Sequence, residues 1–275
     1  MGCLSVDDVT DGYAVLRALS DPDLSGDAVP CLRLQRVKSG VFAALRADVR
    51  RLCEDQQPSS VTSSGHVTGW TGPYGTVTQY SLLTATGRYD DFSLDHDSSH
   101  HGKRFWHAGH YPTLARLLGV VPHCINARLN VLGPSSGLSP HRETTLRYTE
   151  GGGVAVRGRF HLPLETSPEA TLTLGGDVIH LESGVVYAVN NGFVHSAENP
   201  SGSPRVHLVW DCLLTHDVYR ALFGGGGPAP DIFDPVAPAD RACAPVRSVA
   251  PTTFRALPLR VSARDARRVA LCDPR

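Results

Sequence analysis

The 275-residue chain carries 26 Lys and Arg against 27 Asp and Glu, and 41% of its residues are hydrophobic. That balance supports a buried core and excludes a protein that coats nucleic acid through net charge. No run approaches the roughly 18 apolar residues of a membrane span, and Met1 to Asp8 lack a basic region followed by an apolar stretch, so a soluble, unexported, cytoplasmic protein is expected. The seven cysteines are scattered without a CxxC pair, which fits reduced thiols better than a disulfide scaffold or a zinc ribbon.

Taken in chain order, a short helix is predicted over residues 12 to 19. Ser39 precedes Val41, Leu45, Val49 and Leu52, spaced by three or four, which predicts an amphipathic helix over 40 to 54 with a serine cap. Tyr111-Pro112-Thr113 followed by Leu114, Leu117 and Leu118 predicts a third helix with Pro112 in its first turn. From about residue 123 the period changes to two. Ile125, Ala127, Leu129 and Val131 alternate with Asn126, Arg128 and Asn130; Val154, Val156, Phe160, Leu162 and Leu164 then oppose Arg157, Arg159 and His161. Further strands are predicted at 171–174, 178–182, 185–190 and 205–211, separated by Gly-, Ser-, Asn- and Pro-rich turns. Many short strands punctuated this way predict a mainly β protein, a sandwich or cupin-like jelly roll, with N-terminal supporting helices.

This divides the chain into a helical and strand support over 1–122, a jelly-roll core over 123–222 and a Gly/Pro-rich linker with a basic extension over 223–275. The extension's arginines, Arg241 to Arg275, read as a solvated tail or a short helix packed on the barrel.

Two stretches mimic function. Gly133-Pro134-Ser135-Ser136-Gly137 matches the GxSxG nucleophile elbow, but Pro140 and a returning strand pattern leave no room for the helix that must follow. The histidines 96, 100, 101, 107 and 110 are dense but irregularly spaced, which favours a surface or lid segment over a metal site.

His141 and Glu143, two residues apart on an extended segment, point the same way, and His195 lies 54 residues downstream, far enough for antiparallel strands to return. Two histidines and one carboxylate form the facial set that leaves positions open on Fe(II). A satisfied core histidine is the competing reading. Arg205 follows His195 by ten residues, across a turn at Asn199 to Pro204 read as a hairpin, and would grip the distant carboxylate of a chelating 2-oxoglutarate. Arg159 and His161 share a strand face and would meet its other carboxylate. A cupin-like metal-binding sensor, or a zinc-dependent hydrolase or isomerase, remains open on these residues.

Three blocks, Asn126 to Glu143, Gly158 to Leu164 and Val194 to Asp211, make the chain resemble the aspartyl/asparaginyl β-hydroxylase-like family of Fe(II)/2-oxoglutarate oxygenases, and especially its bacterial free-proline hydroxylases. The resemblance implies a double-stranded β-helix with iron at His141, Glu143 and His195. It also implies 2-oxoglutarate on Arg205, Arg159 and His161, with Asn130 as a further candidate, and O2 as the second cosubstrate. Glu143 departs from the Asp more usual there. The implied reaction hydroxylates an unactivated C–H of a free amino acid, short peptide or similar small polar metabolite, with release of succinate and CO2. Arg128 and Arg157 are candidate grips for a substrate carboxylate. Desaturation, epoxidation and cyclisation share the same site, and neither nucleic acid nor membrane is expected as a partner.

Overall fold

The structure, a computed structural model, describes residues 12–56, 66–91, 102–148, 154–223, 231–237 and 240–249. Four helices and sixteen strands occur among them. They are α1 (Gly12–Ala18), β1 (Cys31–Val37), α2 (Ser39–Asp55), β2 (Val67–Gly72), β3 (Gly75–Ser81), β4 (Leu83–Thr84), β5 (Arg104–Phe105) and α3 (Pro112–Gly119). Then come β6 (Cys124–Leu132), β7 (Ser136–His141), β8 (Leu146–Tyr148), β9 (Val154–Glu165), β10 (Thr171–Leu174), β11 (Asp177–Ile179), β12 (Val185–Val189) and β13 (His195–Asn199). The chain continues through β14 (Arg205–Leu213), α4 (His216–Leu222), β15 (Phe233–Pro235) and β16 (Arg247–Ser248).

The period-two stretches form two sheets. The larger runs β15-β1-β12-β9-β14-β6-β3-β2, with β8 added on β9, and the smaller runs β16-β11-β10-β13-β7. Numbering β6, β7 and β9 to β14 from one to eight, the inner strands of these sheets read 1-8-3-6 and 2-7-4-5. That alternation of consecutive strands between two sheets is the double-stranded β-helix, or jelly roll. Its eight strands span residues 124 to 213.

The alternation also assigns the two cores. The even-numbered residues of β9 and β14, among them Phe160, Leu162, Leu208 and Trp210, join Leu129 of β6 on the outer face of the larger sheet, which buries Leu45, Val49 and Leu52 of α2 and Leu114 and Leu117 of α3. Between the sheets lies a smaller apolar cluster, Leu172, Leu174, Ile179, Tyr187, Val189 and Ala197 among others. The helices are joined to one another by Asp48 of α2, whose Oδ2 accepts the backbone N–H groups of Thr113 (2.7 Å) and Leu114 (3.1 Å) at the otherwise unpaired start of α3.

Several expectations are corrected. Ser39 is the first residue of α2 and not its cap; Lys38 takes that place, with an extended backbone and no side-chain bond. The strand expected over 178–182 is Asp177–Ile179, because Glu182 and Ser183 already belong to the turn into β12. The turn from Asn199 to Pro204 is not a hairpin between paired strands: β13 pairs with β7 and β10, whereas β14 pairs with β6 and β9, so the turn carries the chain from one sheet to the other. Arg205 therefore faces His195 across the barrel and not as a cross-strand neighbour. Ser135, the nominal elbow serine, lies at φ 51° in the turn before β7, a strand rather than a helix.

Part of the C-terminal extension is built into the barrel. β15 adds to β1, Ala242 bridges to Leu32, and β16 adds to β11, so the chain passes from the edge of one sheet to the edge of the other. Arg241 is buried on this path and donates to the Phe223 carbonyl at 2.7 Å, unlike a solvated tail residue. The arginines from Arg255 onward and the histidines 96, 100 and 101 lie outside the described residues. No helix among the described residues is long and apolar enough to cross a membrane.

Candidate active site

β7 and β13 place His141 and His195 as direct cross-strand partners, with ring centroids 4.2 Å apart. Each ring is oriented by a carbonyl two residues upstream: His141 Nδ1 lies 2.8 Å from Ser139 O, and His195 Nδ1 lies 2.9 Å from Phe193 O. A carbonyl only accepts, so both Nδ1 atoms carry the proton and both Nε2 atoms present a lone pair. Glu143 lies two residues past the end of β7, where its backbone N–H donates to Asn191 O at 3.0 Å. The ligand atoms of His141, Glu143 and His195 all fall within 4.8 Å of one another. Two imidazoles oriented by their Nδ1 contacts and one carboxylate are a donor set that fits Fe(II).

The inward face of the larger sheet supplies the cations. Arg159 is opposite Asp211, which is opposite Asn126; His161 is opposite Val209, which is opposite Arg128; His207 is opposite Asn130. Asp211, 1% exposed, is the anion at the centre. Arg159 donates to it through Nε (2.7 Å) and Nη2 (2.9 Å), and Arg157 through Nη1 (3.3 Å). The same two guanidiniums reach Glu143, Arg157 Nη2 at 2.8 Å from Oε2 and Arg159 Nη1 against Oε1. Arg128 comes no closer than 4.0 Å to Asp211, and no other acid lies within ion-pair distance of it among the described residues.

Burial alone would raise the Glu143 carboxyl, but the Arg159 and Arg157 guanidiniums hold it far below the ordinary carboxylate range. Asp211 is likewise held at about 2, burial being outweighed by Arg159 and Arg157. Burial, then the neighbouring His141, lowers His195 to about 4. His161 and His207 are kept neutral by burial and by Arg205. Arg205 is pushed down to about 9 by burial, with no acid to offset it. It is 4% exposed, and its Nε donates to His207 Nε2 at 3.0 Å.

The structure thus brings together His141, Glu143 and His195, and sets Arg128, Arg157, Arg159, His161 and Arg205 on the opposing face. Asn130 is on that face but accepts from Gln79 Nε2 at 3.0 Å. Arg157, read from the sequence as a substrate grip, and Arg159, read as a cosubstrate residue, are each bound to two carboxylates. Sequence reasoning missed Asp211, His207 and Asn191. The signal for the first two was present, because Arg205, His207 and Asp211 alternate with the apolar Val206, Leu208 and Trp210.

A jelly roll with a two-histidine, one-carboxylate set between its sheets is an arrangement that can hold Fe(II) and leave coordination positions open. The model of the family described as aspartyl/asparaginyl beta-hydroxylase matches residues 86–214, just under half of the chain and the part that carries every site residue named above. The match agrees with the resemblance read from the three sequence blocks. No curated protein matches the chain.

Among solved structures, the chain is similar to a 2OG-Fe(II) oxygenase family oxidoreductase from Burkholderia pseudomallei (11% identity, TM-score 0.38, covering 66% of this chain and 94% of that one). It is also similar to a Pseudomonas putida prolyl-4-hydroxylase (15%, TM-score 0.40, 72% and 99%). A third is the alpha-ketoglutarate-dependent epimerase SnoN from nogalamycin biosynthesis (14%, TM-score 0.42, 88% and 94%).

Proposed function

We propose that the protein hydroxylates a small, acid-bearing metabolite of the amino-acid type, with His141, Glu143 and His195 holding Fe(II) and Arg205 holding the distal carboxylate of 2-oxoglutarate. When bound, iron, 2-oxoglutarate and O2 supply an oxidant able to break an unactivated C–H bond, with succinate and CO2 as coproducts. The chain's own residues bind, orient and exclude water.

One observation carries the reading. Arg205 is a guanidinium buried inside the barrel, with no carboxylate at ion-pair distance among the described residues, on the sheet that faces the His-Glu-His set. A buried charge without a counterion is costly unless a ligand supplies one. His207 orients Arg205, and His161, whose Nδ1 is 3.4 Å from that of His207, extends the polar path along the inward face of the larger sheet. Both histidines are neutral there, so they add hydrogen bonds without adding charge.

Charge balance supports an acidic substrate. Among the described residues lining this face, Arg128, Arg157, Arg159 and Arg205 oppose only Glu143 and Asp211. Iron and 2-oxoglutarate cancel each other, so two positive charges remain. Arg128 is the cation left without close acid contact, and at 22% side-chain exposure it is reachable from outside. It is the residue we assign to a substrate carboxylate, in preference to Arg157.

The test is succinate formation by the purified protein with Fe(II), 2-oxoglutarate and a panel of free amino acids and small carboxylic acids, each beside its amide. Stimulation by acids and not by their amides supports the reading; stimulation by neither refutes the substrate class.

A further inference from the structure

Glu143 stands where the usual ligand of this kind is one methylene shorter, and it stands beyond the end of β7, where no strand pairing fixes it. A longer carboxylate on an irregular segment has an extra torsion to be restrained before it can serve as a ligand. The structure restrains it at both ends. Asn191, 3% exposed, accepts the Glu143 backbone N–H at 3.0 Å and donates its own side-chain Nδ2 to Oε1 at 3.1 Å. Arg159 also donates to Oε1, and Arg157 donates to Oε2. Both arginines are anchored by Asp211, and Arg157 is held further by the Thr144 carbonyl at 3.0 Å.

We propose that Asn191 is a positioning residue for Glu143, and that Arg157 and Arg159, fixed by Asp211, complete a clamp that seats this longer carboxylate beside His141 and His195. The inference rests on the metal-site reading above and deepens it. A carboxylate offers about four lone-pair sites. Two on Oε1 and one on Oε2 are taken by the clamp, which would leave one site on Oε2 for a metal ion. Asn191 is four residues before His195, so one short loop sets both the carboxylate and the distal imidazole. The arginines therefore act on the metal through Glu143 and do not grip the cosubstrate.

The experiment uses Co(II) as the probe on the full chain, with affinity read by titration and geometry by the visible absorption of the bound ion. Asn191→Leu is nearly isosteric and lacks the donor; Arg157→Lys keeps the charge but cannot bridge Glu143 and Asp211. Both should bind Co(II) about ten- to a hundredfold more weakly than wild type, with an altered spectrum, the usual effect of losing an orienting partner of a ligand. Metal-free Asn191→Leu should unfold within a few degrees of wild type. The 2-oxoglutarate affinity of Co(II)-saturated Arg157→Lys should stay within threefold of wild type.

Wild-type Co(II) affinity and spectrum in Asn191→Leu, or in Arg157→Lys should the first variant not fold, would overturn the proposal. So would a loss confined to 2-oxoglutarate affinity. A wild-type protein that binds no Co(II), or a His141→Ala variant that binds it equally well, would instead overturn the metal-site reading.

Discussion

His141 and His195 are direct partners across β7 and β13, each with its Nδ1 proton committed to a backbone carbonyl two residues upstream. The backbone thus decides the tautomer, and the two Nε2 lone pairs converge without any help from other side chains. Arg142, between His141 and Glu143, is turned away from them and ion-paired to Asp21 and Asp23 of the loop after α1. The loop before His195 is held to the same region by Asn190, whose side chain donates to the Ser20 carbonyl at 2.8 Å. Both ligand-bearing segments are therefore tied to one N-terminal loop, which links the helical support to the chemistry.

Arg205→Ala should raise the apparent KM for 2-oxoglutarate at least tenfold, equivalent to about 1.4 kcal/mol. Removing a buried cation that has no protein counterion costs the fold little. The thermal midpoint of the metal-free variant should therefore match or exceed that of wild type. Steady-state succinate assays and thermal melts read the two quantities, and an unchanged KM would assign Arg205 to structure.

Arg128→Ala should separate the two half-reactions. With the substrate's acid group ungripped, hydroxylated product should fall at least tenfold while substrate-independent succinate formation stays near its wild-type rate. Product and succinate measured in the same sample decide this; equal loss of both would place Arg128 on the cosubstrate.

The stability of the metal-free protein should fall as pH drops below about 6.5, the ordinary histidine value. His161, His195 and His207 all have folded pKa values below it, so the unfolded chain takes up protons first and is favoured. The full stability is present above that pH, and the share due to His195 is lost progressively down to about 4, on the order of 3 kcal/mol. Asp211 acts in a different window: its folded value of about 2 gives stability present above the unfolded carboxyl range and lost only as pH falls towards 2. Melting temperatures from pH 7.5 to 5 should therefore decline, and His207→Gln should flatten the decline. A level profile would contradict the buried neutral histidines.

Much of this was legible in the sequence for a physical reason. Alternation in β6, β9 and β14 fixes which side chains face inward, because a one-residue slip would turn Arg159 and His161 outward against the helices. The inward placement of Arg128, Arg157, Arg159, His161 and Arg205 follows from that alone. Pairing partners are not encoded in alternation. Nothing local distinguishes a hairpin at Asn199 to Pro204 from a crossing between sheets, so the relation of Arg205 to His195 was read wrongly. Nor does a strand face reveal its counterions. Asp211 lies 52 residues from Arg159 in the chain, and only the β9–β14 register makes them partners.

The most direct measurement is succinate release from the purified, iron-loaded protein with 2-oxoglutarate and O2, made beside His141→Ala and His195→Ala variants of unchanged circular dichroism. The account expects wild type to form succinate only when Fe(II) and 2-oxoglutarate are both present, and both variants to form none. Succinate formation that survives in both folded variants would contradict it.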